Sequence, residues 1–319
     1  MTMVLVTGAQ GFVGTHLIRL LLERGYQVRA AIRDTRNKLA IPDLVDSVYY
    51  CSGATDNDYQ RLLTGIDVVV HLAGIAHRDN VVHSDYVQVN TRGTRELATA
   101  SIERGIKRFI FLSTVKVHGE HTGLSADKDA VLNESSRLSA IDPYSHSKLQ
   151  AENSLREICR NSDMQYVILR PPLVYGPGVK ANFYRLMKMV WNGWWMPFAR
   201  VGNQRSMIYV ENLCDIIELL VKSECVNNAE FLVKDDDIST TRLVQELSWA
   251  MGKPPRLFYM PLPLVRIIAR LLGKSETVEK LYRSLAIDDN KLRSELHWSP
   301  PFTSAVAIQR TVNWFIRNR

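Results

Sequence analysis

The chain opens on an apolar run without polar alternation, Met3-Val4-Leu5-Val6. It passes through a glycine-rich turn into apolar residues at helical spacing, Leu17, Ile18, Leu20, Leu21 and Leu22. Short apolar runs bounded by turn residues read as strands buried on both faces. Further runs of this kind are predicted over residues 28–32, Val48-Tyr49-Tyr50, residues 68–74, residues 109–113 and residues 166–170. Between them the spacing predicts a short helix over residues 58–63 and a long helix through Val89 to Thr94 ending at Arg104. A third helix opens at Pro143. It is well signalled: Asp142 is a good N-cap, Pro143 suits the first helical position, and Leu149, Leu155 and Ile158 keep the apolar rhythm. Strands that alternate with helices imply a parallel sheet wound in right-handed crossovers, an α/β protein.

Regular alternation stops near Arg170, where Pro171, Pro172, Gly176, Pro177 and Gly178 form a turn-rich exit. Beyond it, helices are expected over residues 182–192, over 211–222, from a cap at Thr240 or Thr241 to Met251, over 288–296 and over 303–318. Pro261 and Pro263 introduce a basic apolar helix that reaches Leu272. Its expected place is packed in the smaller domain, although its Arg266/Arg270 face also permits contact with a membrane surface. Strands are expected over 205–210, 229–233 and 257–260. The aromatic stretch from Trp191 to Phe198 reads as local packing under a loop, with base stacking or contact with a membrane surface as the alternatives. A chain of 319 residues suggests two domains, here residues 1–169 and, mainly for substrate, residues 170–319.

Composition narrows the class. The net charge is +7 without a concentrated Lys/Arg run, which suits a small anionic substrate better than nucleic acid. Cys51, Cys159, Cys214 and Cys225 are scattered without metal or redox spacing, as expected of reduced thiols in a cytoplasmic protein. No 18-residue apolar run suggests a transmembrane segment, and a strand that begins at Met3 leaves no room for a signal peptide.

The first turn carries chemistry. In Thr7-Gly8-Ala9-Gln10-Gly11-Phe12-Val13-Gly14, Gly8 permits a tight turn and Gly11 a close backbone approach to a pyrophosphate. Gly14 permits close packing of helix on strand, and the helix N-terminus attracts the anion. The spacing is G-x-x-G-x-x-G rather than the commoner G-x-G-x-x-G. Its position between the first strand and first helix predicts a Rossmann doubly wound sheet that binds a dinucleotide. The acid that binds the adenosine ribose of NAD normally ends the second strand. Here that place falls on Ile32, followed by Arg33 and Asp34. Arg33 can pair with a ribose 2′-phosphate, which leans towards NADP, while Asp34 can still serve NAD. His71, with no partner ligands, reads as structural rather than metal-binding.

Tyr144 and Lys148 stand four residues apart, one turn apart on one helix face. A phenol ionises near pH 10, and an ammonium at about 4 Å favours phenolate by up to about three pKa units. Such a tyrosine is a general acid–base for interconverting C–OH and C=O.

The ordered set Thr7-Gly8-x-x-Gly11-x-x-Gly14, His71-Leu72-Ala73-Gly74, Asn90-x-x-Gly93-Thr94, Leu112-Ser113-Thr114, Tyr144-x-x-x-Lys148 and Arg170-Pro171-Pro172 resembles the extended short-chain dehydrogenase/reductases, in the nucleotide-sugar epimerase/dehydratase group. The resemblance spans nearly the whole chain. It implies that Thr114 hydrogen-bonds the reacting oxygen, that Tyr144 moves the proton, and that Lys148 lowers the tyrosine pKa and holds the nicotinamide ribose. It implies cofactor contacts at Gly8, Gly11, Phe12, Val13, Gly14, Arg33, Leu72, Ala73, Gly74, Asn90, Tyr144, Lys148 and Pro171. It implies that Arg205, Asn182 and Arg283 bind a substrate diphosphate. A homodimer through the helices around Asn90 and Lys148 is also implied.

Departures from the family pattern bear on the reaction. The Gly-Asp that normally meets adenine is replaced by Cys51-Ser52-Gly53-Ala54, and an expected asparagine after Arg170 by Leu173. The Asp-Glu pair that follows the Thr in resembling dehydratases is Val115-Lys116, which excludes a 4,6-dehydratase. Thr114-Val115-Lys116-Val117-His118-Gly119 and residues 173–183 resemble enzymes of bacterial surface-polysaccharide (O-antigen) biosynthesis. The expectation is a C4 ketoreductase of a UDP-4-keto-6-deoxy-N-acetylhexosamine, with a 4-epimerase of UDP-glucose or UDP-N-acetylglucosamine holding NAD as the alternative. A steroid or small-ketone dehydrogenase, and a non-catalytic cofactor-binding sensor, are the more distant rivals.

Overall fold

The computed structural model describes residues 1–33, 45–49, 54–76, 82–120, 122, 131–271, 273 and 275–319. Asp34, Tyr50, Leu272 and the Cys51-Ser52-Gly53 part of the expected adenine segment lie outside the described residues. The first six strands are β1 (Met3–Thr7), β2 (Gln27–Ile32), β3 (Asp46–Tyr49), β4 (Val68–His71), β5 (Arg108–Leu112) and β6 (Gln165–Arg170). Then come β7 (Leu173–Tyr175), β8 (Arg205–Tyr209), β9 (Ala229–Leu232) and β10 (Asp236–Ile238). Seven of them form a parallel sheet in the order β3-β2-β1-β4-β5-β6-β9, and β10-β8-β7 form a second, small sheet. The strand order reverses between β1 and β4, so the crevice at their carboxyl ends is where a doubly wound sheet binds its ligand.

The apolar runs are unalternating because both faces of the sheet are covered. Val4, Val6, Ala30, Ile32, Val68, Val70, Ile110, Val167 and Leu169 enter one core. It also takes up helices α1 (Phe12–Glu23), α6 (Ala181–Trp191), α7 (Val210–Lys222), α8 (Thr240–Ala250) and α12 (Ser304–Arg317). Leu5, Ala31, Val69, Phe109, Phe111 and Ile168 face the other core, under α2 (Asp56–Leu63), α4 (Gly93–Glu103) and α5 (Pro143–Cys159). The remaining helices are α3 (His83–Tyr86), α9 (Leu262–Leu271), α10 (Ser275–Tyr282) and α11 (Asn290–Leu296).

Several expected elements take a different form. The long helix to Arg104 is three pieces, with a π-helical segment (Val87–Arg92) between α3 and α4. The wider turn surrounds Asn90, whose side chain holds the backbone of Ile75. Such insertions often mark functional positions. Residues 257–260 make a bridge between Met196 and Leu257 rather than a strand. Helix α8 is capped by Ser239, whose hydroxyl accepts from the Arg242 N–H at 3.1 Å. Thr240 and Thr241 instead donate to the carbonyls of Leu281 and Phe198. Finally, β9 returns from the second half of the sequence to pair with β6. The boundary expected after Leu169 thus divides the sequence and not the large sheet.

Candidate active site

The site forms at the carboxyl ends of β1, β4 and β5. Gly8 has φ +68°, and a Cβ there would stand 2.8 Å from the Ala73 nitrogen and the Leu72 carbonyl carbon. A Cβ on Gly14 would come within 2.3 Å of the Gly8 carbonyl oxygen. The turn is therefore pressed against the exit of β4 on one side and against α1 on the other, as expected. At Gly11 the close neighbour is also backbone, the Gly8 oxygen at 2.9 Å from a built Cβ. The N-cap of α1 is Gly11, which offers no side chain to the first-turn N–H groups, and no acid stands in that turn. These groups suit the pyrophosphate of a dinucleotide.

A buried chain of hydrogen bonds fixes the wall opposite this turn. The Ala73 N–H donates to Thr7 Oγ1 at 3.2 Å, and Thr7 Oγ1 lies 2.7 Å from His71 Nδ1. His71 Nε2 lies 2.9 Å from Thr94 Oγ1, which donates to the Asn90 carbonyl at 2.6 Å. Thr94 spends its proton on Asn90, so His71 must donate through Nε2 and accept through Nδ1. Burial pushes His71 down to about 3, and the Lys148 charge pushes the same way, so the imidazole is neutral. The expectation that His71 is structural fits this wiring. Asn90 Oδ1 accepts from the Ile75 N–H at 2.8 Å, while Nδ2 donates to the Ile75 carbonyl at 3.0 Å and to Ser147 Oγ at 2.9 Å. Asn90 thereby clamps the strand exit to the first turns of α5.

Helix α5 presents the expected acid–base pair, Tyr144 and Lys148. Asp142 caps it by accepting from the Ser145 N–H at 2.9 Å, with Pro143 in the first turn, as the sequence predicts. Tyr144 is half-buried beside Tyr86, ring centroids 6.4 Å apart, and is hydrogen-bonded to the Thr114 side chain. Lys148 is buried, with Nζ 4.2 Å from the centre of the Phe111 ring. A Cβ on Gly74 would meet Asn90 Oδ1 at 3.1 Å and Lys148 Nζ at 3.5 Å, so glycine keeps space open over the ammonium. Thr114, Tyr144 and Lys148 are thus brought to one place, and the glycine cradle and the space that Gly74 leaves beside the lysine fit a nicotinamide dinucleotide.

The protonation states differ from the sequence expectation. Tyr144 is raised to about 12, by burial first and by the Asp142 charge second, against a lowering by Thr114. Lys148 is lowered to about 7 by burial, with Glu152 opposing. Desolvation outweighs the expected ammonium–phenolate attraction, because both groups are taken out of water. The free site therefore stores its proton on the tyrosine.

Behind Lys148 lies an ion-pair network that the sequence did not announce. Glu152, one turn along α5, accepts from Ser113 Oγ at 2.5 Å, Arg170 Nε at 3.0 Å and Arg156 Nη2 at 2.8 Å. Arg170 also donates to Glu230 of β9 at 2.5 Å and to His118 Nε2 at 3.1 Å. His118 then donates through Nδ1 to the Ser136 carbonyl at 3.0 Å. Burial and the Arg170 charge hold its pKa low. The row Lys148, Glu152, Arg156 at i, i+4, i+8 was the available signal, since a charged row on a core-facing helix side requires internal partners.

Of the expected substrate residues, Arg205 and Arg283 lie beside each other, and Asn182 stands on α6. The Val115 N–H donates to the Pro171 carbonyl at 3.0 Å, locking the Thr114 turn to the exit of β6. Lys116 Nζ pairs with Glu120 at 2.7 Å and with Asp142 at 3.5 Å. Arg205, half-buried at the start of β8, feels the Glu120 charge and donates to the Arg283 carbonyl at 3.2 Å. Burial lowers its pKa. Arg283 Nε pairs with Glu279 at 2.6 Å. Asn182 is exposed in the first turn of α6, and Arg33 is exposed just past β2. Phe12 lines the turn, 3.5 Å from a Cβ built on Gly178. Among the described residues no group of His, Cys, Asp and Glu is arranged to hold a metal ion, and no helix is long and apolar enough to cross a membrane.

Fold and site together define an extended short-chain dehydrogenase/reductase. Residues 4–231 match the NAD dependent epimerase/dehydratase family, and the chain belongs to it. The match ends inside β9, the last strand of the large sheet. A UDP-glucose 4-epimerase of Vibrio cholerae is 36% identical, the alignment covering 98% of this chain and 95% of the relative. An N-acetyl-α-D-glucosaminyl-diphospho-ditrans,octacis-undecaprenol 4-epimerase of Escherichia coli O157:H7 is 28% identical over 98% and 94%. The crystal structure of UDP-glucuronic acid 4-epimerase from Bacillus cereus, in complex with UDP-glucuronic acid and NAD, superposes with a TM-score of 0.81. It covers 100% of both chains at 23% identity.

Proposed function

We propose that this chain is a 4-epimerase of a UDP-hexose or UDP-N-acetylhexosamine, working in the cytoplasm in surface-polysaccharide biosynthesis. The observation that carries the reaction type is the Thr114–Tyr144–Lys148 constellation with Val115 and Lys116 beside it. C4 oxidation and reduction need a single acid–base, and Tyr144 supplies it. Thr114 holds the reacting oxygen against Tyr144. Bound, the oxidised dinucleotide supplies the hydride acceptor and a positive ring that favours the phenolate. Lys148 then orients the ribose side of that group, held in place by Phe111 and by Glu152 one turn away. Elimination of water across C5–C6 would need an additional acid and base at the positions after Thr114. There Val115 is buried and apolar, and Lys116 is held by Glu120 and Asp142. Arg205 and Arg283, with Asn182, are the proposed diphosphate ligands. A homodimer through α4 and α5 belongs to the same reading.

The order of the two expected reactions is reversed here. The epimerase reading gains from the 36% identical relative that bears that name over 98% of this chain. The C4 ketoreductase, drawing on NADPH, is supported by Arg33, which stands exposed past β2 where a 2′-phosphate would approach. One experiment separates them. The protein is given UDP-glucose or UDP-N-acetylglucosamine without added nicotinamide, then a UDP-4-keto-6-deoxy sugar with NADPH or NADH. Catalytic interconversion of C4 epimers in the first reaction is expected. Stoichiometric oxidation of reduced nicotinamide in the second, with no epimer in the first, would overturn the epimerase.

A further inference from the structure

Helix α9 is apolar on two sides. Val265 and Ala269 are buried against the body of the protein. Leu264, Ile267, Ile268 and Leu271 are 52, 56, 44 and 82% exposed, and their i, i+3, i+4, i+7 spacing puts them on one outward stripe. Arg270 borders one side of that stripe, and Arg266, further round the helix, is tied to Glu279 at 2.8 Å. The segment entering α9 runs beside the aromatic loop. The Met196 N–H donates to the Arg256 carbonyl and the Phe258 N–H to the Met196 carbonyl, both at 3.0 Å. The loop divides the stretch that the sequence assigned to local packing. Trp191, Met196 and Phe198 do pack inward, but Trp194 and Trp195 are 58 and 65% exposed.

Charge decides what such a surface meets. Residues 191–204 and 252–271 contain Arg200, Lys253, Arg256, Arg266 and Arg270 and no Asp or Glu. Exposed aliphatic residues on a helix, tryptophans beside it and a surround in which cations outnumber carboxylates, with Glu279 pairing Arg266, match the headgroup–acyl boundary of an anionic bilayer. A second copy docked through the same face would set cationic surround against cationic surround. We propose that α9 and the Trp194–Trp195 loop form a peripheral docking surface for an anionic lipid bilayer. Glu279 joins this surface to the interior: it pairs with both Arg266 and Arg283, and the Arg283 carbonyl accepts from Arg205. The docking helix is thus joined to the proposed diphosphate ligands by two ion pairs that share Glu279, whichever C4 reaction the site performs.

The test uses the full chain and vesicles of phosphatidylcholine, alone or with a third phosphatidylglycerol. Co-sedimentation with the anionic vesicles, weakened by added salt, is expected, with little binding to the neutral ones. The double variant Ile268→Glu, Leu271→Glu should bind the anionic vesicles at least about tenfold more weakly, since it places charge where the helix would enter the boundary. Its melting temperature and its turnover of a soluble nucleotide sugar should be unchanged. Trp195→Ala should give a smaller loss. Failure of the parent protein to pellet with anionic vesicles at low salt would overturn the proposal. So would equal binding by the double variant, or a dimer in sedimentation velocity that the double variant dissolves.

Discussion

Replacing Lys148 by Met should make the protein that lacks its dinucleotide more stable near neutral pH. The folded state holds Lys148 at a pKa of about 7 because burial opposes its charge, against 10.5 ordinarily. The unfolded chain therefore binds more protons between these values, and stability rises with pH across that window. The penalty is fully present below the folded pKa and fades as pH climbs through the unfolded one. Integrated for one group, it is about 4 kcal/mol at pH 7 and about 1 kcal/mol at pH 9.5. Methionine keeps the aliphatic stem and a favourable contact with the Phe111 ring, and it removes the charge. Glu152 retains Arg170 and Arg156 as partners. The variant should thus exceed the parent by about 2–4 kcal/mol near pH 7, with the advantage shrinking by about 3 kcal/mol near pH 9.5. Urea denaturation of both proteins, stripped of dinucleotide, at several pH values measures this. Groups other than Lys148 titrate in both proteins and cancel. An advantage that does not shrink with pH, or a variant less stable than the parent at pH 7, would refute the reasoning. The same substitution should abolish turnover, because the group that destabilises the free site is the one proposed to hold the cofactor ribose.

Two further outcomes follow from the site. Tyr144→Phe should retain dinucleotide binding, measured by fluorescence titration, and lose on the order of a thousandfold or more in kcat, since general acid–base assistance contributes about 10²–10⁴; activity near the parent level would remove Tyr144 from the mechanism. Arg205→Ala should weaken binding of the UDP-sugar by roughly tenfold to a hundredfold, as expected for losing a charge-assisted contact of about 1.5–3 kcal/mol, and leave the dinucleotide affinity nearly unchanged. Equal weakening of both ligands, by calorimetry, would assign Arg205 to the packing of β8 instead.

What the sequence revealed was the local part. Apolar runs without alternation marked the strands of the large sheet, and the Gly8–Gly14 spacing marked its ligand end. Asp142 and Pro143 marked the start of α5, which sets Tyr144 and Lys148 on one face. Each of these depends on residues close together in the chain. The π-helical turn at Asn90 did not show, and the side chain it carries bonds a partner distant in the chain, the backbone of Ile75 fifteen residues earlier. The protonation states did not show either. Proximity of Lys148 to Tyr144 was legible, but burial of both, which sets their pKa values, arises only once β5 and α5 are packed. Nor did the partnership of Arg170 with Glu152 and Glu230, because it joins residues separated by 18 and 60 positions.

The position of β9 has a bearing on biosynthesis. Synthesis proceeds from the N-terminus, so β1 to β6 leave the ribosome well before Ala229–Leu232 exist to pair with β6. During that interval β6 is an open edge of a parallel sheet, with an unpaired row of backbone groups and an arginine, Arg170, that has not yet met Glu230. Open edges invite pairing with other chains. A fragment ended after Arg170 would keep that edge permanently. Such a fragment should aggregate where the full chain does not, although it contains the whole glycine turn and all of the proposed acid–base residues. The nascent chain has a corresponding interval of vulnerability, closed only when the last strand of the large sheet arrives.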